Sequence, residues 1–291
     1  MCKVKILDRE FVSEFIKPRA KDCNKGSFGS VLIVGSSDNF SGAVTICTLS
    51  SLRTGAGLTF AASTKTALIS ARVNAPEAIF IPLTETNGGQ ISFENADLII
   101  EKANSCSALV LGCGLSICED TKKLVEKVLK GVRVPTVLDA DGINIVSENI
   151  DILRNTSCPI VLTPHLKEMS RLIHKDVSYI KQNKAAVASE FSKEFSVTVV
   201  LKDFETVIAN GDELYKNCGG HACMAKGGSG DMLAGMLGAL LSQGLSPINS
   251  AACAVYLHSK AGEICGERMG DYSVIARDMI FSLPEVFKEF C

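Results

Sequence analysis

Ser30-Val31-Leu32-Ile33-Val34-Gly35 is a short, β-rich apolar run that stops at a glycine followed by the small polar pair Ser36-Ser37. Runs of the same kind recur at 58–62, 108–112, 136–139, 160–163 and 198–201, each ended by Gly, Asp, Pro or another turn former. An apolar run without alternation is what a strand covered on both faces requires. Between the runs lie helical patterns, clearest at 120–130. There Leu124, Val125, Val128 and Leu129 share one face, Lys122, Lys123, Glu126 and Lys127 the other, and Gly131 is the expected stop. Strands alternating with helices predict an α/β fold with a mostly parallel central sheet and helices on both faces. No low-complexity linker, charge block or repeat divides the chain, so one domain over 1–291 is expected.

Ligands of open α/β sheets bind beyond the carboxyl ends of the strands. The candidates are therefore the residues that end each run. After the first, Asn39 or Ser41 could cap an apolar helix. Residues 53–58 read as a helix stop and a strand start. Gly112-Cys113-Gly114-Leu115-Ser116 begins like a dinucleotide fingerprint, but Ile117 stands where the third glycine belongs, which argues against a nicotinamide-dependent dehydrogenase. Asp139 and Asp141 would point the same way if their strand continued, and with Glu168 could hold a magnesium ion through water; Asp141 could equally cap the next turn. Thr163-Pro164-His165 presents a histidine at a strand terminus. Lys202 ends the last run, either as a cation for a phosphate or as a solvated turn residue. His221 and Cys223 are too few to define a metal site.

Gly227-Gly228-Ser229-Gly230-Asp231 leads straight into the apolar segment from Met232 to Leu241. Small residues let a backbone wrap an anion, and the following helix would aim its free amides at it. A carboxylate placed in an anion site is repelled by its ligand, so Asp231 is either a base for proton transfer or only a helix cap.

Lys+Arg 30 against Asp+Glu 32 leaves a net charge of −2, which argues against a general nucleic-acid or membrane partner. The apolar fraction of 46% over 291 residues supports a large core. Twelve cysteines without a Cys-x-x-Cys pair read as small buried hydrophobes in a reducing cytoplasm. The charged segment from Met1 to Phe15 does not read as a signal peptide, and no apolar stretch reaches the roughly 18 residues of a membrane span.

Taken together and in order, these residues resemble the NAD(P)H-hydrate dehydratase family of the ribokinase-like superfamily. The resemblance runs from Lys25 to Pro284. It rests on the first strand exit with Asn39 and Ala43, on 53–58, Asn74-Ala75-Pro76-Glu77, 111–115, 137–141, 162–165 with Glu168, 201–206 and 224–235, and on the later Gln243-Gly244 and 256–262. It implies ADP- or ATP-dependent dehydration of hydrated NADH or NADPH, with Mg2+, as a repair reaction. The ring hydroxyl would be phosphorylated and then lost as phosphate, a far better leaving group. By position, Ala43, Gly114, His165 and Asp231 would contact the hydrated dinucleotide. Lys202, Asp203, Phe204, Glu205 and Thr206, with Gly228, Ser229 and Gly230, would bind the adenine nucleotide. Asp231 would take the proton of the attacking hydroxyl while the amides of 228–230 stabilise the transferring phosphoryl group.

The sequence departs from the family at Ser116, usually glycine, at Lys226 and Ser229, usually threonine, and over 218–223. The resemblance also implies a homo-oligomer and an epimerase acting on the same metabolite, for which this sequence has no room. Two other readings are a vitamin-precursor kinase of the same superfamily and a non-catalytic nucleotide-binding module. The pairing of 163–165 with 39–43 favours the dehydratase, and Asp231 argues against a sensor.

Overall fold

The computed structural model describes residues 4–291, so Cys2 and the start of the charged N-terminal segment lie outside the described residues. Its strands are β1 (Lys5–Ile6), β2 (Ser30–Val34), β3 (Leu58–Thr64), β4 (Ile79–Leu83), β5 (Ala108–Leu111), β6 (Thr136–Leu138), β7 (Ile160–Leu162), β8 (Thr198–Leu201), β9 (Thr206–Asn210) and β10 (Glu213–Asn217). They form one sheet in the order β1-β10-β9-β8-β7-β6-β5-β2-β3-β4. From β8 to β4 every pairing is parallel, because a helix or a long connection separates successive strands. β9 pairs antiparallel with both β8 and β10, and only Gly211 and Asp212 separate Asn210 from its partner Glu213. β1 returns to the edge, parallel to β10.

Successive residues of β2 belong to different cores. Val31 and Ile33 pack into one cluster, Leu32 and Val34 into the other, and all four are buried. Burial on both faces explains the unbroken apolar run, at about 1.5–3 kcal/mol for each large side chain removed from water. The helix Ser229–Ser242 lies on the first face, wedged between the sheet and the helix Gly42–Thr54. A Cβ on Gly235 would fall 2.1 Å from Ser50 Oγ and 2.3 Å from the Cys47 carbonyl, and one on Gly238 2.4 Å from Val110 Cγ2. Only glycine permits this approach.

All six expected strands are present. The edge strands were not read from sequence: β4 carries Pro82 and exposed Ile79, as an edge tolerates, and β1 and β10 have no unbroken apolar run. The expected stop at Gly131 needs correction, because the helix runs Glu119–Gly131 with Val132 extended after it. Gly131 serves close packing, since a Cβ there would lie 2.7 Å from Ile100 Cδ1. No helix among the described residues is long and apolar enough to cross a membrane.

Candidate functional site

The exits of β2, β5, β6, β7 and β8 converge on the start of the helix Ser229–Ser242. After β2, Ser36 takes a left-handed backbone (φ 67), donates its amide to the Cys113 carbonyl at 2.7 Å and accepts the Val44 amide on Oγ at 2.8 Å. Ser36 therefore does the capping expected of Asn39 or Ser41; Ser41 occupies the N-cap without a side-chain bond. The helix ends at Thr54, and Gly55 (φ 94) turns the chain toward β3, as 53–58 implied. After β5, Gly114 (φ 68) is pressed against Ala43 and Phe40, each with its Cβ 2.9 Å from where a Gly114 Cβ would sit. Ser116 also takes a left-handed conformation (φ 60), which accounts for glycine being usual there, and its hydroxyl pairs with Ser37 at 2.8 Å.

Asp139 and Asp141 do not share a direction, because β6 stops at Leu138 and a helix begins at Asp141. Asp141 accepts the Ser116 amide at 2.9 Å and so fastens that loop, rather than capping its own turn. Asp139 is 2% exposed and pairs with Lys202 Nζ at 2.9 Å, with further bonds from Thr163 Oγ1 and Cys113 Sγ. Burial pushes its carboxyl up, but the Lys202 charge and these donors outweigh burial and hold it below the ordinary carboxylate range. Burial pulls on Lys202 in the opposite sense, and Asp139 and Glu168 keep it protonated. Lys202 is therefore no solvated turn residue.

Asp231 is the third residue of its helix, and the N-cap is Gly228 (φ 92). The cap reading of Asp231 fails on that count. The first intrahelical bond is from Met232 N to Gly228 O; ahead of it the Ser229 amide donates to the Lys226 carbonyl at 3.4 Å, and the Gly230 amide has no partner within the helix. A Cβ on Gly230 would lie 3.4 Å from Lys202 Nζ and 3.7 Å from Asp139 Oδ2, which places the glycine loop directly on the buried ion pair. Burial, and then the negative charge of Asp139, raise the Asp231 carboxyl to about 6. Such a group is ionised at neutral pH yet basic enough to accept a proton.

Asp231 lines a cleft of about 520 Å³ with Ala43, Gly114, Gly227 and Gly228. Phe40 and Gly42 from the motif at 39–43, Ala140 and Asp141 from the β6 exit, Ile46 and the segment Ile275-Ala276-Arg277 complete its wall, and of these sequence reasoning missed Ile46 and 275–277. No local motif marks 275–277; only the packing of the C-terminal helices brings it there.

His165 does not line this cleft. It caps the helix Leu166–Ile173, its Nδ1 accepting the amides of Lys167 and Glu168 at 3.1 Å, and it bridges to Lys202 through the backbone. Burial and the Lys202 charge lower its pKa. Glu168 accepts the His165 amide at 2.8 Å, and burial raises its carboxyl to about 7. In the loop after β8, Lys184 holds Asp203 at 2.8 Å and the Glu205 carbonyl at 2.9 Å, while Phe204 is 86% exposed. Lys226 donates to the Tyr272 carbonyl, and Ser229 Oγ to the Met224 carbonyl. His221 and Cys223 stay in a short 3-10 turn, and the one group of metal-ligating residues found among the described residues is Cys47, Cys113 and Asp231. His258, from the motif at 256–262, is buried and its Nε2 has no hydrogen-bond partner. Burial and Lys202 lower its pKa to about 4, so it is neutral.

The NAD(P)H-hydrate dehydratase family model matches residues 31–284. A bifunctional NAD(P)H-hydrate repair enzyme of Moorella thermoacetica is 35% identical over 266 residues, which are 91% of this chain and 50% of that protein. The chain thus spans about half the length of such bifunctional relatives. An ADP-dependent (S)-NAD(P)H-hydrate dehydratase of Nitrosopumilus maritimus is 31% identical over 290 residues, 98% of each chain. The structure of an ADP/ATP-dependent NAD(P)H-hydrate dehydratase from Bacillus subtilis, co-crystallised with ATP/Mg2+, aligns with a TM-score of 0.85 at 26% identity over 100% of both chains.

Proposed function

Because the chain belongs to the NAD(P)H-hydrate dehydratase family, we propose that it uses ADP or ATP to dehydrate hydrated NADH or NADPH. The observation that carries the reading is Asp231, a carboxylate raised to about 6 that sits between an anion cradle and a cleft wall built from Ala43 and Gly114. The hydrated ring occupies the cleft, and the nucleotide lies over the glycine loop and 202–206. The ring hydroxyl attacks the terminal phosphorus, the bond to the leaving nucleotide breaks, and Asp231 accepts the hydroxyl proton. The amides of Gly228 and Gly230 take up charge on the transferring group, joined by that of Ser229, whose bond to the Lys226 carbonyl is long at 3.4 Å. Loss of phosphate, with a proton from the adjacent ring carbon, restores the double bond. His165 then acts through the 165–202 bridge at the edge of the site.

Mg2+ suits this site as an ion carried on nucleotide phosphates, which supplies charge neutralisation there. Asp139 and Asp141 already hold Lys202 and the Ser116 amide, so they and Glu168 would reach it through water. An epimerase for the same metabolite is the natural partner, and a cytoplasmic address belongs to the same reading. A homo-oligomer belongs to the same reading, and Met269, Tyr272 and Phe281 are apolar side chains that the C-terminal helices leave exposed.

The test is recovery of reduced-nicotinamide absorbance from chemically hydrated NADH or NADPH with Mg2+ and ADP or ATP. No recovery with either nucleotide, together with phosphorylation of a vitamin-precursor alcohol, would replace this reading with the kinase.

A further inference from the structure

Just behind the cleft, Cys47, Cys113 and Asp231 come together from three segments: the helix Gly42–Thr54, the β5 exit and the first turn of the helix Ser229–Ser242. Both sulfurs and a carboxylate oxygen lie within 4.8 Å of one another. The two thiols are 0% and 1% exposed, and the reaction proposed above uses neither. Cys47 Sγ donates to the Asp231 carbonyl at 3.1 Å, and Cys113 Sγ to Asp139 Oδ2 at 3.5 Å.

We propose that Cys47, Cys113 and Asp231 form a binding site for a thiophilic divalent cation, Zn2+, which arrests turnover by occupying the carboxylate. On a tetrahedral ion two sulfurs about 2.3 Å from the metal stand about 3.8 Å apart and a sulfur and a carboxylate oxygen about 3.5 Å apart, so the three ligand atoms need to close by no more than about 1.3 Å. Three protein ligands leave a fourth position open, and because Asp231 lines the cleft, an ion held by its carboxylate would take that carboxylate away from a ligand in the cleft. Ile46 and Gly114, the chain neighbours of Cys47 and Cys113, line the same cleft, so the two buried thiols lie one residue behind its wall. Both thiols release their protons on binding, and the ion compensates two thiolates and a carboxylate that are otherwise crowded by Asp139. Mg2+ prefers oxygen ligands and does not compete for the sulfurs.

Binding is independent of the role given to Asp231, whereas the arrest rests on reading Asp231 as the base. Co2+ titrated into the reduced protein should give one equivalent of thiolate-to-metal charge-transfer absorption, displaced by Zn2+. Cys47→Ala and Cys113→Ala should each lower that absorption at least fivefold, with exposed Cys23, Cys218 and Cys291 retained as an internal control for adventitious thiols. One equivalent of Zn2+ in excess Mg2+ should cut wild-type turnover at least tenfold, and Cys47→Ala should need at least tenfold more Zn2+ for the same effect relative to its own metal-free rate. Should Cys113→Ala not fold, Cys47→Ala decides alone. Absence of the band in the wild type, or an undiminished band in the cysteine variants, overturns the site. A normal band combined with near-normal turnover of Asp231→Asn leaves the site standing and removes the base.

Discussion

Replacing Asp231 with Asn should make the enzyme slower and the fold more stable, two effects of opposite sign from one atom pair. The carboxyl is raised from 3.8 to about 6 by burial and by Asp139, so the native state holds its proton more tightly than the unfolded chain does. A raised carboxyl leaves stability intact below the unfolded value and withdraws it as pH rises through the folded one. About two units correspond to about 3 kcal/mol, and partial access to water reduces this to about 1–2 kcal/mol. Asn removes that penalty. Its stabilisation should therefore be near zero at pH 3.8 and below, grow to pH 6, and remain constant above it. Thermal melts at pH 4 and pH 7.5 should differ in their mutant-minus-wild-type shift by a few °C, at about 2–4 °C per kcal/mol. Turnover should fall by about 10²–10⁴-fold, the usual worth of positioned proton transfer. Nucleotide affinity should hold or tighten, since a negative charge leaves the anion cradle. A melting shift that is the same at both pH values would refute the perturbed carboxyl, and near-normal turnover would refute the base.

In the wild type, kcat/KM should fall with unit slope below pH about 6, because activity needs Asp231 ionised and is lost as it gains its proton; a limb near the ordinary carboxylate value would show that Asp231 is not the titrating base. Lys202→Met leaves Asp139 buried without its cation, which should cost about 3–5 kcal/mol in urea unfolding at neutral pH. Adding Asp139→Asn should recover part of that loss, and no recovery would mean the cost lies elsewhere. Gly235→Ala drives a methyl into Ser50 Oγ and the Cys47 carbonyl, so calorimetry should record a loss of about 1–3 kcal/mol, and an unchanged melting temperature would refute the close approach.

The strands buried on both faces were legible because an unbroken apolar run such as 30–34, bounded by turn formers and too short for a helix, fits little but a doubly covered strand. Edge strands were not, since β4 is half exposed and β1 gains meaning only beside β10, at the far end of the sequence. At the site, Asp231, Ala43 and Gly114 stood in recognisable motifs, and the cleft unites them. The Asp139–Lys202 pair joins residues 63 apart, which no local spacing encodes. The divergence of Asp139 from Asp141 depended on where β6 stops, the kind of boundary that sequence patterns place poorly. Cys47 and Cys113 read as core filling, and each is buried as core filling would be; only tertiary contact sets them beside a carboxylate.

The glycine approach of the helix Ser229–Ser242 to its neighbours fixes which parts of the site can move as ligands come and go. With backbone against backbone at Gly235 and a bare Cα against the sheet at Gly238, no side chains are left between them to act as a compliant layer. The cradle is in effect part of the foundation. Entry and exit of ligands are then left to the rim, at Phe40 and at 275–277, where the chain leaves the connection between the two C-terminal helices and begins the last of them. Amide exchange should divide the site along that line, slow in the floor that carries the reactive carboxylate and fast in the walls that decide how long a ligand stays.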